Sequence, residues 1–188
     1  MPLTTLDPKT ALIIIDLQKL IAGMPTVHPF AEVVERSRKL SETCRRHGLP
    51  VVLVNVDGVA PGRTEGPSLN LGDLPADFAE IVPELGAQKS DIRVTKKTWG
   101  AFVNTGLEKT LKDLGVTQVI VTGVSTSAGV ESTARQAFEA GFNVTLATDA
   151  MTDTQPEAHD RAISHIFPRL GERGTTDEII GLLDRTRG

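Results

Sequence analysis

Five short apolar runs, each followed by a longer amphipathic or polar stretch, constrain this fold more than any other feature. They are Ala11-Leu-Ile-Ile-Ile15, Pro50-Val-Val-Leu-Val-Asn-Val56, the weaker Ile92-Arg-Val-Thr95, Gln118-Val-Ile-Val-Thr-Gly123 and Asn143-Val-Thr-Leu-Ala-Thr148. Runs that are apolar at successive positions suit strands covered on both faces, as in a parallel sheet. Arg169-Leu-Gly-Glu172 offers a short edge strand. Between the runs, Val33, Ser37, Leu40 and Cys44 fall on one face of a helix predicted over 30–47, which stops at Gly48 with Pro50 just beyond. Further helices are predicted over 103–114, about 127–140, 156–167 and 176–183. Strand and helix in alternation give right-handed crossovers and an open parallel sheet with helices on both faces.

Composition narrows the class. A chain of 188 residues suits one domain, spanning 1–188. Twenty basic against 24 acidic residues leave a net charge of −4. That argues against a nucleic-acid-coating surface or a polybasic membrane patch. One cysteine excludes an intrachain disulfide and a zinc site built on cysteines. No apolar run approaches the roughly 20 residues of a membrane span. The first residues lack the basic and apolar regions of a signal peptide, so a cytoplasmic location is expected. The long irregular stretch 57–91, rich in Gly and Pro, is expected to act as a lid, a binding loop or a contact between subunits.

In an open α/β sheet, ligands sit beyond the carboxyl ends of the strands, where the strand order reverses. The residues that follow the runs are Asp16 and Gln18, Asn55 and Asp57, Lys96 and Lys97, the segment Gly123-Val-Ser-Thr-Ser-Ala-Gly129, and Asp149 with Ala150. An acid, a base and a Gly/Ser-rich helix start therefore meet on one rim. Each also has a plainer reading. Asp16 suits a helix cap, Lys96 a solvated lysine, and the Ser/Thr cluster N-capping. The segment lacks the spacing of a dinucleotide fingerprint, a phosphate-binding loop or a nucleophile elbow. Its helix N-terminus still suits an anionic group.

Three motifs in order, Asp16-Leu-Gln18, Lys96-Lys-Thr-Trp-Gly-Ala-Phe102 and Thr122-Gly-Val-Ser-Thr-Ser-Ala-Gly-Val-Glu-Ser-Thr-Ala-Arg135, resemble those of the isochorismatase-like hydrolase superfamily. The resemblance covers the whole chain. It implies a six-stranded parallel sheet of order 3-2-1-4-5-6, with Asp16 beside the 123–129 turn and a cis peptide at Val124–Ser125. It implies catalytic roles for Asp16 and Lys96, and a substrate site formed by Gln18, Trp99, Phe102, Val124, Ser125 and Ala128. It also implies a small-molecule substrate and a homodimer or larger homo-oligomer. No cofactor and no metal are expected, since Asn55-Val-Asp-Gly58 has no nearby histidine and His28, His47, His159 and His165 form no D-x-H pattern.

Most members of that superfamily read G-V-x-T-x-x-C and use the cysteine as nucleophile. Here Gly129 stands at the cysteine position, and Cys44 lies on the apolar stripe of the first long helix. Isochorismatases themselves also resemble this pattern, with Gly in place of Cys. Their vinyl ether substrate is protonated, water attacks, and pyruvate leaves. Asp16 then acts as general acid, and Lys96 orients the substrate or stabilises charge. A dianionic substrate asks for cationic groups, and Arg63, Arg93 and Lys97 are available. Two other readings stay open. One is an amide or C–N hydrolase using Ser125, Thr126 or Ser127. The other is a ligand-binding protein without catalysis.

Overall fold

β1 (Thr10–Ile15) is buried along its whole length and divides the two cores. Ala11, Ile13 and Ile15 join one core, while Leu12 and Ile14 join the other. That alternation is the period of a strand. The computed structural model describes residues 3–66 and 70–187. Its sheet runs β3-β2-β1-β4-β5-β6 and every pairing is parallel. The other strands are β2 (Val51–Val56), β3 (Ile92–Lys96), β4 (Gln118–Val124), β5 (Asn143–Thr152) and β6 (Glu172–Gly174). The expected fold class and strand order are those observed.

The α-helices among the described residues are α1 (Lys19–Ala22), α2 (Phe30–Arg46), α3 (Leu107–Asp113), α4 (Glu131–Glu139), α5 (Pro156–Arg161) and α6 (Thr176–Arg187). Val33, Leu40 and Cys44 of α2 pack with Ile179 and Leu183 of α6 on one face. Leu107 and Leu111 of α3 pack with Ala134 and Ala137 of α4 on the other, together with Phe167. Burying so many Val, Ile and Leu side chains stabilises each layer by about 1.5–3 kcal/mol per side chain.

Several expected boundaries move. The edge strand lies at 172–174 rather than 169–172, because Phe167–Arg169 forms a tight turn containing Pro168. The helix expected from 103 begins at Leu107: Asn104 and Gly106 both have positive φ, and Thr105 Oγ1 accepts from the Leu107 amide at 3.3 Å. The helix expected over 156–167 widens into a π-helical turn at Ala162–Ile166. β5 does not end at Thr148. A register shift opposite β4 carries it to Thr152, so its carboxyl end is Asp153 rather than Asp149. Asp149 instead receives the Thr176 amide at 2.7 Å and so caps α6.

The second half of the 57–91 stretch packs on its own chain. Val82 and Leu85 are buried in the α2 core, Gln18 bridges to Ile81, and Asp91 receives a bidentate Arg45 at 2.9 and 2.8 Å. Within that stretch, 67–69 lie outside the described residues.

Gly123 sets how closely β4 approaches β1. It has φ +116, and a Cβ there would lie 2.0 Å from the Ile15 carbonyl oxygen. The clash is with backbone, so it has no cheap relief. Gly123→Ala is expected to lower the unfolding free energy by more than about 3 kcal/mol, as read by urea denaturation.

Candidate active site

The carboxyl end of β1 is where the chain first departs from strand geometry. Asp16 has φ 52, a region few non-glycine residues enter. Its amide still donates to the Val54 carbonyl at 2.9 Å, and its own carbonyl accepts from the Gln18 amide at 2.9 Å. Asp16 is thus pinned at both ends of its backbone, immediately past the sheet.

Lys96 is the last residue of β3, with β2 between it and β1. Its Nζ donates to Asp16 Oδ2 at 2.7 Å and to the Thr98 carbonyl at 3.1 Å. The side chains of Lys96 and Asp16 are 2% and 8% exposed. Burial pushes the Asp16 carboxyl up to about 6, against the pull of Lys96 in the opposite direction. The cost of charging a group out of water therefore outweighs one close cation here. Lys96 is not the solvated lysine of its plainer reading, nor does Asp16 cap a helix. α1 starts after Gln18 without a side-chain cap.

Gly129 completes the group. A Cβ at this position would lie 3.3 Å from Asp16 Oδ2, 3.2 Å from the Val124 carbonyl oxygen and 3.0 Å from Ile15 Cγ2. Asp16, Lys96 and Gly129, distant in sequence, meet at one carboxylate oxygen. Gly129 belongs to a π-helical turn, Thr126–Val130, that follows β4 and runs into α4. The Val124–Ser125 peptide is cis, and the Ser125 carbonyl accepts from the amides of Ala128 at 3.1 Å and Val130 at 3.0 Å.

The other expected site residues separate. Gln18 is fully buried and its amide group is committed to backbone. Its Oε1 accepts from the Val56 amide, and its Nε2 donates to the carbonyls of Val56 and Phe78. Val124 is buried in the α2 core, whereas Ser125 and Ala128 are partly exposed. Trp99 is 67% exposed. Phe102 packs against the α3–α4 core, with its ring 6.0 Å from that of Phe142. Arg63, Arg93 and Lys97 are exposed. Asn55 holds Ala79 and Thr95. Asp57 Oδ1 is buried without a hydrogen-bond partner.

The Ser/Thr cluster does not cap α4. Ser127 gives both its amide and its hydroxyl to Asp153 Oδ2, at 2.7 and 2.8 Å. Thr126 Oγ1 lies 2.8 Å from His159 Nδ1, with both residues buried. The sequence pattern left Asp153 unremarked and marked His159 only as one of four histidines without a metal-binding pattern. The signal present was the second aspartate of Asp149-Ala-Met-Thr-Asp153. Cys44 is fully buried in the α2 core, and burial pushes its thiol up to about 12. Among the described residues, no three His, Cys, Asp or Glu side chains are grouped to hold a metal ion. No described helix is long and apolar enough to cross a membrane.

An isochorismatase domain model matches residues 10–178, nearly the whole chain. The chain belongs to the isochorismatase family. This family member is 41% identical to the uncharacterized isochorismatase family protein YecD of Escherichia coli O157:H7, over 93% of this chain and 96% of that one. It is 32% identical to Nicotinamidase 3 of Arabidopsis thaliana, over 85% and 83%. An isochorismatase family protein from Burkholderia thailandensis superposes with TM-score 0.91 at 35% identity, covering 96% of this chain and 98% of that one.

The buried carboxyl makes stability depend on pH with a definite sign. Unfolded Asp16 releases its proton near 3.8, whereas folded Asp16 holds it to about 6. The native state therefore binds more protons between those values. Its stability falls as pH rises through that window, by at most about 3 kcal/mol. Urea denaturation of wild type and Asp16→Asn from pH 4 to 7 checks this. The advantage of wild type over the variant should shrink with rising pH and level off above about 6.

Proposed function

We propose that this chain is a thiol-independent hydrolase of a small carboxylated molecule, with Asp16 as proton donor in an isochorismate-type vinyl ether hydrolysis. The observation that carries this reading is the state of the Asp16 carboxyl. Oδ2 accepts from Lys96, while Oδ1 is buried without a partner. A proton on Asp16 therefore sits on Oδ1, and a carboxyl raised to about 6 is a better-matched acid near neutral pH than an ordinary aspartic acid.

In this reading, Asp16 Oδ1 gives its proton to the terminal carbon of the enol ether. Water adds to the resulting oxocarbenium carbon and returns a proton to the Asp16 carboxylate. The hemiketal then collapses, the ether C–O bond breaks, and pyruvate and an alcohol leave. Lys96 holds the carboxylate once the proton is gone, which stabilises the charge that develops. Gly129 contributes by its lack of a side chain, since it lets a ligand approach the turn beside Asp16.

The residues that would serve covalent routes favour this one by their engagements. Cys44 is in the core. Thr126 is fully buried, and Ser127 is held by Asp153. A hydroxyl nucleophile needs a base within about 2.6–3.2 Å. Ser125 has no such side-chain partner among the described residues, whereas Ser127 and Thr126 each have one at 2.8 Å, in Asp153 and His159, so an amide or C–N hydrolase on this turn is the alternative reading.

The test is incubation of the pure protein with isochorismate while pyruvate is followed. Asp16→Asn is expected to lose about 10²-fold or more in rate. Because the acid must be protonated, kcat/KM is expected to fall as pH rises above about 6. No turnover above an Asp16→Ala control, or a rate that climbs through pH 6, overturns the reading.

A further inference from the structure

The 124–130 turn carries Gly129 to Asp16, yet it receives its side-chain anchors from the far side, beyond β5. Asp153 takes the amide and hydroxyl of Ser127. Asp153 is itself fixed, because its Oδ1 accepts from the amides of Thr154 at 2.8 Å and Gln155 at 3.2 Å. One residue earlier in the turn, the Thr126 hydroxyl meets His159 of α5. Thr126 and His159 are 0% and 2% exposed, so water competes poorly for this hydrogen bond. The mechanism above uses neither residue.

We propose that His159 is a positioning residue of this site: its Nδ1, 2.8 Å from Thr126 Oγ1, fixes the 124–130 turn so that Gly129 lies against the Asp16 carboxylate. Two anchors on successive residues set both the place and the rotation of the turn, which one anchor alone does not. The turn passes the constraint on. The Gly129 carbonyl accepts from Thr133 Oγ1 at 2.7 Å, and Thr133 Oγ1 accepts from the Ala101 amide at 3.1 Å. Ala101 lies in the loop that follows Lys96. His159 thus connects, through Thr126 and the turn, to both sides of the Asp16–Lys96 pair.

The surroundings keep the imidazole neutral at neutral pH. Burial and the neighbouring His28 push its protonation down, while Asp160 and Asp153 push it up, and the net direction is down. The His28 ring stands edge-on at 5.0 Å and 74°. His28 is held in turn by Thr152, whose hydroxyl accepts from the His28 amide at 2.8 Å and donates to its carbonyl at 3.1 Å. Protonation in acid makes Nδ1 a donor, and Thr126 Oγ1 then accepts from it, with the added charge facing a second imidazole.

This inference rests on the Asp16 reading for its catalytic consequence, and its test separates the two. His159→Leu removes the ring nitrogen, whereas His159→Asn places an amide where Nδ1 sits. Rates with isochorismate are measured together with amide hydrogen exchange across the chain. His159→Leu is expected to lower kcat by about 10²-fold, the scale of a small misplacement at a reacting centre. KM should change little, and exchange should quicken at Ala128 and Val130 while β1 amides keep their wild-type rates. His159→Asn is expected to recover most of both. If His159→Leu fails to fold, Thr126→Val removes the hydroxyl at similar volume and should quicken exchange at the same two amides. Wild-type kcat with wild-type turn exchange in His159→Leu overturns the proposal. So does faster exchange spread evenly over the sheet, or an Asn variant as impaired as Leu. If wild type itself does not turn over isochorismate, the Asp16 reading falls and the exchange pattern alone decides the role of His159.

Discussion

The contact between Lys96 and Asp16 is the constraint around which the carboxyl edge of the sheet is arranged. Two opposite charges at 2.7 Å, both nearly excluded from water, require three strands in fixed register. β3 must end at Lys96, β1 must end at Ile15, and β2 must lie between them. A slip of one residue would send one partner to the opposite face of the sheet. Removing two ions from water is expensive, and their mutual attraction repays that only with good geometry. Here the repayment is incomplete on the acid side. Oδ1 has no partner, and burial outweighs Lys96 in setting the carboxyl's proton affinity. That residual cost is borne by two apolar layers that have nothing to do with the chemistry.

Close packing around this pair leaves little freedom to its neighbours. Gly123 lets β4 come so near β1 that no side chain fits, and the chain then turns through 124–130 to bring Gly129 back over Asp16. Gln18 performs a related service on the other side. Its amide ties the end of β1 to Val56 and Phe78, and so anchors the stretch that carries Val82 and Leu85 into the α2 core. A residue that looks like a substrate ligand from its place beside Asp16 is, by its hydrogen bonds, a strut.

What the sequence disclosed follows from which forces act locally. Continuous apolar runs report strands buried on both faces, so β1, β2 and β4 were legible almost to the residue. Because the runs read as parallel strands, the residues just past their carboxyl ends, Asp16, Lys96 and the 123–129 segment, were expected on one rim, and the resemblance supplied the strand order. The bonds between them were less visible. Lys96 reads as solvated in a chain of letters, because its burial depends on a carboxylate 80 residues away. Asp153 and His159 were hidden for another reason. β5 runs on past Thr148 through a register shift, and a bulge leaves no periodic trace in composition. The boundaries that moved, at Leu107 and Ala162, lie where a positive φ or a widened turn replaces the regular helix that apolar spacing alone suggests.

The space at Gly129 carries a consequence for how this family changes chemistry. A first side-chain atom there meets Ile15, the Val124 carbonyl and Asp16 at 3.0 to 3.3 Å, so each must give by a few tenths of an ångström to admit it. By resemblance, the cysteine of most relatives occupies this position, and its sulfur would stand next to the same aspartate. On the proposed reading, the glycine leaves Asp16 and Lys96 to act without sulfur, and a cysteine at the same place would set its thiol beside a carboxyl raised to about 6.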